Sequence, residues 1–562
     1  MTSEIRTSYS FIGQSHNKQL TEATTMEVLL NELDHHLHNP ITRSISNNPL
    51  IFIIVLLLSH STLTTSFPTP SPIPILPLPS SQQLSWQLSE MALFLHFGTN
   101  TFTDSEWGTG HADPSVFNPT GLNATQWVAV AKENGFSRVI LTAKHHDGFC
   151  LWPSDYTDYS VKSSPWRGGK GDVVGELAKA AQEAEIQLGL YLSPWDRHEP
   201  TYGKTLEYNE YYMAQMTELL TRYGNVKEVW LDGAKGEGEK DMEYFFENWF
   251  SLIHQLQPSS VIFSDAGPDV RWSGDEEGFS GTTCWSLFNR SNAAIGGTDT
   301  KYSQGGDPLG HDWVPPECDV SIRPGWFWHE SELPKSATNL LELYYNSVGR
   351  NCLLLLNVPP NSSGLISEQD IKVLQEFSNL RASIFSQNLA KSAIVTASTT
   401  RGGSGSNNTQ FNSNSILEEG IFTYWAPKKN QTHWIIYLDF QESVSFNVIQ
   451  IQEPIQMGQR IVKFHVDVVN EDGEWQEVLT GSTVGYRRIL RFPNVKTQRL
   501  RLVIDKSRAE PLVAYFGVYV DTVSILGNIK SNTTSNSSSV INFNGSQILH
   551  QIVNNRTRVS SI

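Results

Sequence analysis

RVILTAKHHDGF, residues 138–149, sets the reading of the chain. Its opening six residues are mostly apolar, as in a strand covered on both faces. It then breaks into Lys144-His145-His146-Asp147, four groups that bind or carry protons. The same grammar recurs. Strands are expected at 92–97, 138–143, 187–193, 227–232, 260–265, 281–287, 319–322 and 352–358, with helical stretches between them such as 175–185, 209–223, 241–257 and 336–348. His96 ends the first strand, Tyr191 and Trp195 mark the third, Asp232 the fourth, and Asp265 with Arg271 the fifth. Roughly eight strand–helix units over about 300 residues predict an α/β fold, a (β/α)8 TIM-like barrel, whose strand carboxyl ends share one face. An open doubly wound sheet is the competing architecture, but no GxGxxG follows the first strand.

After a helical stretch at 367–387 the texture changes. Short alternating runs at 434–440, 448–453, 462–469, 476–480, 499–504 and 521–525 are separated by turn signals such as Glu471-Asp472-Gly473. They predict an antiparallel β-sandwich. The expected division is an N-terminal extension over 1–66, the barrel over 67–387, the sandwich over 388–526 and a disordered Asn/Ser/Thr-rich tail over 527–562.

The 562 residues carry 41 basic and 58 acidic side chains, a net charge of −17, which argues against nucleic acid as a partner. Thirteen of the sixteen tryptophans fall between Trp86 and Trp328. Flat amphipathic rings in an acidic protein suit neutral polyhydroxylated ligands, although most tryptophans fill cores.

Leu50 to Leu58, LIFIIVLLL, is too short to span a bilayer and has the length of a signal-peptide core. A signal peptide or signal anchor is expected, with no stable membrane span after cleavage near 61–66. Nine Asn-x-Ser/Thr sequons, at Asn123, Asn289, Asn361, Asn407, Asn430, Asn532, Asn536, Asn544 and Asn555, point the same way. Cys150, Cys284, Cys318 and Cys352 lack CxxC spacing, which leaves one or two disulfides or buried thiols. The expected compartment is extracellular.

Asp232 ends the apolar run Val229-Trp230-Leu231, where an ionised carboxylate needs hydrogen bonds to stay charged. Its competing reading is a helix N-cap. Asp275-Glu276-Glu277 follows Arg271-Trp272, and a solvated loop is its plain reading. Two acids facing one cavity in different environments are the equipment of glycoside hydrolysis. His145 and His146 are neighbours on a strand and point to opposite faces, so no metal site is expected. No cofactor is expected, and no GxSxG elbow occurs.

His96-Phe97-Gly98, Glu106-Trp107, Lys144-His145-His146-Asp147-Gly148-Phe149, Trp230-Leu231-Asp232-Gly233 and Arg271-Trp272-Ser273-Gly274-Asp275-Glu276 occur in that order. Together, over about residues 80–385, they resemble the α-L-fucosidases of glycoside hydrolase family 29, and the plant α-1,3/4-acting members in particular. Residues 388–526 are similar to the galactose-binding-like (F5/8 type C) sandwiches that follow such domains. The resemblance implies Asp232 as nucleophile and Glu276 as acid/base, with Asp275, Glu277 and Glu237 as rivals for the second role. It implies that His96, Glu106, Trp107, His145, His146, Tyr191 and Arg271 bind the sugar ring. Where the animal lysosomal relatives carry K-W-E-x-C, this chain has Pro315-Pro316-Glu317-Cys318. The function implied is a retaining exo-α-L-fucosidase acting on fucosylated oligosaccharides or N-glycans of the cell wall and apoplast. An α-1,2-fucosidase acting on xyloglucan and a non-catalytic fucose-binding lectin are the alternatives.

Overall fold

Side chains alternate in and out along a strand, so each strand of a closed barrel contributes every second residue to the interior. The computed structural model describes residues 69–236, 238–403 and 410–523. The apolar run at 50–58, the tail over 527–562, Glu237 and the sequons at 407, 532, 536, 544 and 555 lie outside them. Thr69 and Pro70 belong to a unit spanning Met1–Pro70, and the remainder to a unit spanning Ser71–Ile562. Among the described residues no helix is long and apolar enough to cross a membrane.

The strands are β1 (Met91–Leu95), β2 (Arg138–Lys144), β3 (Gln187–Leu192), β4 (Val226–Trp230), β5 (Val261–Ser264) and β6 (Val270–Trp272). A short hairpin, β7 (Leu287–Phe288) and β8 (Asp312–Trp313), precedes β9 (Pro316–Ser321) and β10 (Leu353–Asn357). Six of these with β9 and β10 close into a parallel barrel in the order β1-β10-β9-β6-β5-β4-β3-β2. Amphipathic helices such as Val173–Glu183, Thr205–Arg222 and Phe246–Leu256 cover the outside. The expected sixth strand at 281–287 is a correction. Val270–Trp272 takes that place, pairing with β5 and β9, and only the end of the expected segment is a strand, in the hairpin. Three residues are too few to show a period, whereas the buried Cys284, Trp285 and Leu287 imitate one.

Inside the barrel, Phe94, Ile140, Tyr191, Trp230, Phe263 and Leu355 pack as one apolar cluster. Below it the helix Ser81–Leu88 plugs the amino-terminal end, fixed at its start by a Ser80/Gln83 capping box. Its Trp86 indole donates to Glu228 at 2.9 Å, and the Arg138 guanidinium meets the same carboxylate at 2.9 Å with both side chains buried. Glu317 shares this space and accepts from the Trp230 indole at 2.8 Å. Burial first, then the charge of Glu228, pushes the Glu317 carboxyl well above the ordinary range, so it carries a proton. Cys318 of β9 and Cys352, which precedes β10, form a disulfide, and Cys150 and Cys284 are buried thiols.

After the helix Glu368–Phe385 come six antiparallel strands: β11 (Ala393–Ala397), β12 (Trp434–Gln452), β13 (Ile461–Val469), β14 (Trp475–Ser482), β15 (Arg488–Ser507) and β16 (Tyr515–Tyr519). The long β12 and β15 bend at register shifts, so β12 pairs with β11 along its first half and with β16 along its second. Two runs expected as separate strands, 434–440 and 448–453, are therefore one. The last expected strand, 521–525, is not a strand at 521–523, and its other residues lie outside the described ones. Tyr515–Tyr519 is the strand there instead.

The buried Arg138–Glu228 pair yields a prediction. Arg138→Met should destabilise the protein by about 3–5 kcal/mol in urea unfolding, because Glu228 keeps a buried charge without its partner. Adding Glu228→Gln should restore much of that loss.

Candidate functional site

The carboxyl ends of the barrel strands open into a cavity of about 560 Å³. His96, just after β1, and His145 and His146, after β2, form one wall with Glu106 and Trp107. Asp232, Asp265, Trp272, Glu276 and Asp319 form the other, and Trp326 and Gly325 close the gap between them. Trp230 and Phe263, stacked with ring centroids 4.1 Å apart, lie at the base.

Each group is held from behind. The Tyr191 hydroxyl donates to Asp232 Oδ2 at 2.9 Å, and the backbone N–H of Ala234 donates to Oδ1 at 2.7 Å. His146 Nε2 lies 3.6 Å from Asp232 Oδ2, and its Nδ1 pairs with Ser193 Oγ at 2.8 Å. His96 Nδ1 pairs with Asn357 Oδ1 at 2.8 Å, and the Asn357 amide donates to the Trp326 carbonyl at 2.7 Å. Glu106 accepts from the Trp326 backbone N–H at 2.8 Å. Trp107 is 48% exposed and meets His146 and Trp195 edge-on. Such a half-open ring beside polar groups offers a stacking face.

Burial sets the charge states. It pushes His96 down to about 3, His145 well below the usual histidine value and His146 in the same direction against the charge of Asp232, so the neutral imidazole is favoured at each. Burial, then the charge of Asp232, pushes Asp265 up to about 6 against the hydrogen bond from Gly296 N–H. Burial and then the charge of Glu276 push Asp319 well above the carboxylate range. His145 Nδ1, Asp265 Oδ1 and Asp319 Oδ1 are buried and have no hydrogen-bond partner among the described residues. Imidazoles, carboxyls in unlike surroundings and aromatic faces suit an uncharged ligand rich in hydroxyls.

Of the residues singled out from sequence, His96, Glu106, Trp107, His145, His146, Asp232 and Glu276 meet in this cavity. Tyr191 lies buried behind Asp232 and touches it. Arg271 does not join them, which corrects its expected sugar contact. Its neighbours Val270 and Trp272 pack with the barrel interior, so alternation sends Arg271 outward. There it is fully buried, donating to the carbonyls of Ser303, Trp285 and Val314 over the Phe288 ring. Burial lowers its pKa to about 10.

The rivals of Glu276 separate too. Asp275 Oδ1 accepts from the backbone N–H groups of Glu277 and Phe279, and Oδ2 accepts from the Gln304 amide, so it braces the loop. Glu277 is not among the cavity-lining residues, and Glu237 lies outside the described residues. Trp230, expected to be plain core filling, forms part of the cavity lining. Sequence reading missed Asp319 and Asn357. The expected strand starts at Asp319, whereas Asp319 stands near the carboxyl end of β9, and Asn357 closes an apolar run that carries no polar signal of its own.

Outside the cavity, His465, Asp467 and Glu477 bring metal-type donors together. Asp467 already pairs with Arg501 at 2.7 Å and His465 with Asp505 at 2.9 Å, so that group is internally neutralised.

The family described as Alpha-L-fucosidase matches residues 80–381, and a NedA-like, galactose-binding domain matches residues 402–502. "Alpha-L-fucosidase 1" of Arabidopsis thaliana is 68% identical over 475 residues, covering 84% of this chain and 93% of its own length. The crystal structure of SpGH29 superposes with a TM-score of 0.76 at 43% identity, covering 80% of this chain and all of its own. A Ruminococcus gnavus GH29 fucosidase in complex with fucose superposes with a TM-score of 0.74 at 34% identity, over 80% of this chain and 96% of its own.

The lowered pKa of His96 has a measurable sign. Between about 6.5 and about 3 the unfolded chain binds a proton at this residue that the folded protein refuses. Stability should therefore fall as pH drops through that window, by up to about 1.4 kcal/mol per unit from this group. His96→Asn should flatten the curve in urea unfolding at stepped pH.

Proposed function

This chain belongs to the α-L-fucosidase family of glycoside hydrolases, and on that premise we propose that it is a retaining exo-enzyme. Its substrate is terminal α-1,3- or α-1,4-linked L-fucose on glycoprotein glycans or oligosaccharides. The observation that carries the reading is the pairing of two unlike carboxyls in one cavity. Asp232 is about 20% exposed and held by Tyr191 and Ala234, whereas Glu276 stands on an exposed loop edge.

In this mechanism Asp232 attacks the anomeric carbon of fucose while Glu276 gives its proton to the departing glycosidic oxygen. A covalent fucosyl–Asp232 ester forms and the C–O bond to the leaving sugar breaks. Glu276, now a carboxylate, takes a proton from water. The water oxygen displaces Asp232, releasing fucose with its original anomeric configuration. Tyr191 and Ala234 N–H fix the carboxylate that must align with the anomeric carbon. The neutral imidazoles of His96, His145 and His146 donate to and accept from ring hydroxyls, and Trp107 covers a C–H face. The fucose complex of the Ruminococcus gnavus relative supports the choice of sugar.

We also propose that the enzyme works outside the cell, in the wall and apoplast. The apolar run at 50–58, the sequon density and the Cys318–Cys352 disulfide support this. Asn123 and Asn430 are exposed sequon positions. Protein from the plant secretory pathway should lose mass on enzymatic deglycosylation, and Asn123→Gln with Asn430→Gln should remove part of that shift.

The decisive test is kinetic. Asp232→Ala should abolish turnover. Glu276→Ala should lower kcat/KM on a natural oligosaccharide about 10²–10⁴-fold and on 4-nitrophenyl-α-L-fucoside far less, since that leaving group needs no proton. Proton NMR of the first product should show α-fucose before mutarotation. A panel of 2-, 3- and 4-linked fucosyl oligosaccharides tests the linkage, and preference for the 2-linked sugar would overturn that part of the reading.

A further inference from the structure

Two loops shape the sugar side of the cavity, one carrying Glu106 and Trp107, the other Gly325 and Trp326. His329 joins them. Its Nε2 lies 2.5 Å from Glu106 Oε1, and its Nδ1 lies 2.5 Å from Asp104 Oδ1. The other Glu106 oxygen accepts from the Trp326 backbone N–H. A Cβ on Gly325 would sit 2.5 Å from Glu106 Oε1 and 3.0 Å from the His329 ring, so the loop backbone closes tightly over this contact.

We propose that His329 is a positioning residue of the sugar pocket, a proton-dependent clasp that holds Glu106 and, through it, the Trp107 and Trp326 walls. The proposal rests on the reading of Glu106 as a sugar ligand. A neutral imidazole has one N–H and can donate to only one carboxylate, whereas the imidazolium donates to both. Two short contacts to carboxylates, one at each ring nitrogen, are the geometry of the charged form. The charged groups facing the ring are Asp104, from the turn after the helix Thr99–Thr103, then Glu106, and Glu332 from the ring's own loop. Burial opposes the charge, but the hydrogen bonds to Asp104 and Glu106 and the charge of Glu332 outweigh it, raising the pKa above the ordinary histidine value.

The sign follows. A raised histidine still holds its proton at the ordinary value of about 6.5 and loses it only as pH climbs through its own higher value. The clasp is closed in acid and opens towards alkali. Glu106 then keeps its backbone contact to Trp326 but loses its charged partner.

Inhibition by L-fucose, measured across pH, tests this in the full-length enzyme. In the wild type the inhibition constant should be flat in acid and rise above the His329 pKa. His329→Gln should weaken L-fucose roughly ten- to a hundredfold in acid and show no such rise, with kcat on 4-nitrophenyl-α-L-fucoside changing less than KM. Asp104→Asn removes one of the facing charges and should move the rise to lower pH. A His329→Gln enzyme with the wild-type inhibition constant and pH profile, or one that loses kcat alone, would overturn the clasp. The imidazole titration itself, read by NMR on histidine-labelled protein against His329→Gln, needs no sugar. Should L-fucose bind the wild type at no pH, the functional reading fails. The clasp is then decided by that titration, and a His329 at or below the ordinary value overturns it.

Discussion

Two glutamates, one guanidinium and one proton share the axis of the barrel. Glu228 is paired to Arg138, and Glu317 keeps its proton beside them. Without the guanidinium a buried carboxylate would be untenable, and without the proton there would be two charges for one partner. Glu317 is thereby fixed as acceptor for the Trp230 indole, which locks the ring that stacks on Phe263 and Tyr191. Asp232 stands two residues beyond Trp230 on the same inward face, so the polar axis below sets the height and tilt of the carboxylate above.

Above that floor the ring of strands divides by chemistry. The β1 and β2 side presents imidazoles that burial keeps neutral, next to an indole and Glu106. The side from β4 to β9 presents four acids, Asp232, Asp265, Glu276 and Asp319, of which Asp265 and Asp319 are raised by burial first and by neighbouring charge second. The imidazoles recognise hydroxyls as fixed donors and acceptors, while Glu106 beside them answers to the protonation of His329. Acids in unequal surroundings hold their protons with unequal strength, which acid/base chemistry requires. One cavity therefore sets imidazoles and carboxyls on different arcs of the barrel.

The barrel was legible because fully covered parallel strands leave apolar runs, and because polar groups at their ends, such as His145-His146 and Asp232, have no other reason to recur there. The sixth strand was not. Val270–Trp272 is too short for a pattern, so nothing in the sequence showed that Arg271, which the resemblance places at the sugar, faces outward from the barrel. Asp319 and Asn357 escaped for a related reason: they look ordinary until the register puts Asp319 in the cavity and Asn357 behind His96. His329 lies in a loop, and its contacts reach back more than 200 residues to Asp104 and Glu106, a pairing that only the folded chain reveals. In the C-terminal domain the alternation was readable, but the continuity of β12 through its bulges was not.

The joints between that domain and the barrel are placed with a bias. Arg487 pairs with Glu90, immediately before β1, and Tyr486 and Gly485 reach Asn351 and Cys352 at the start of β10 or pack against them. Arg460 grips the carbonyl of Ile73, ahead of the plugging helix. All of these lie towards the amino-terminal end of the barrel, and among the described residues none beyond Trp326 lines the cavity. The molecule is thus polarised, with its fastening at one pole and its chemistry at the other. The mouth of the cavity is left clear of those fastenings. That domain can therefore change its side chains without replacing any described residue that lines the cavity.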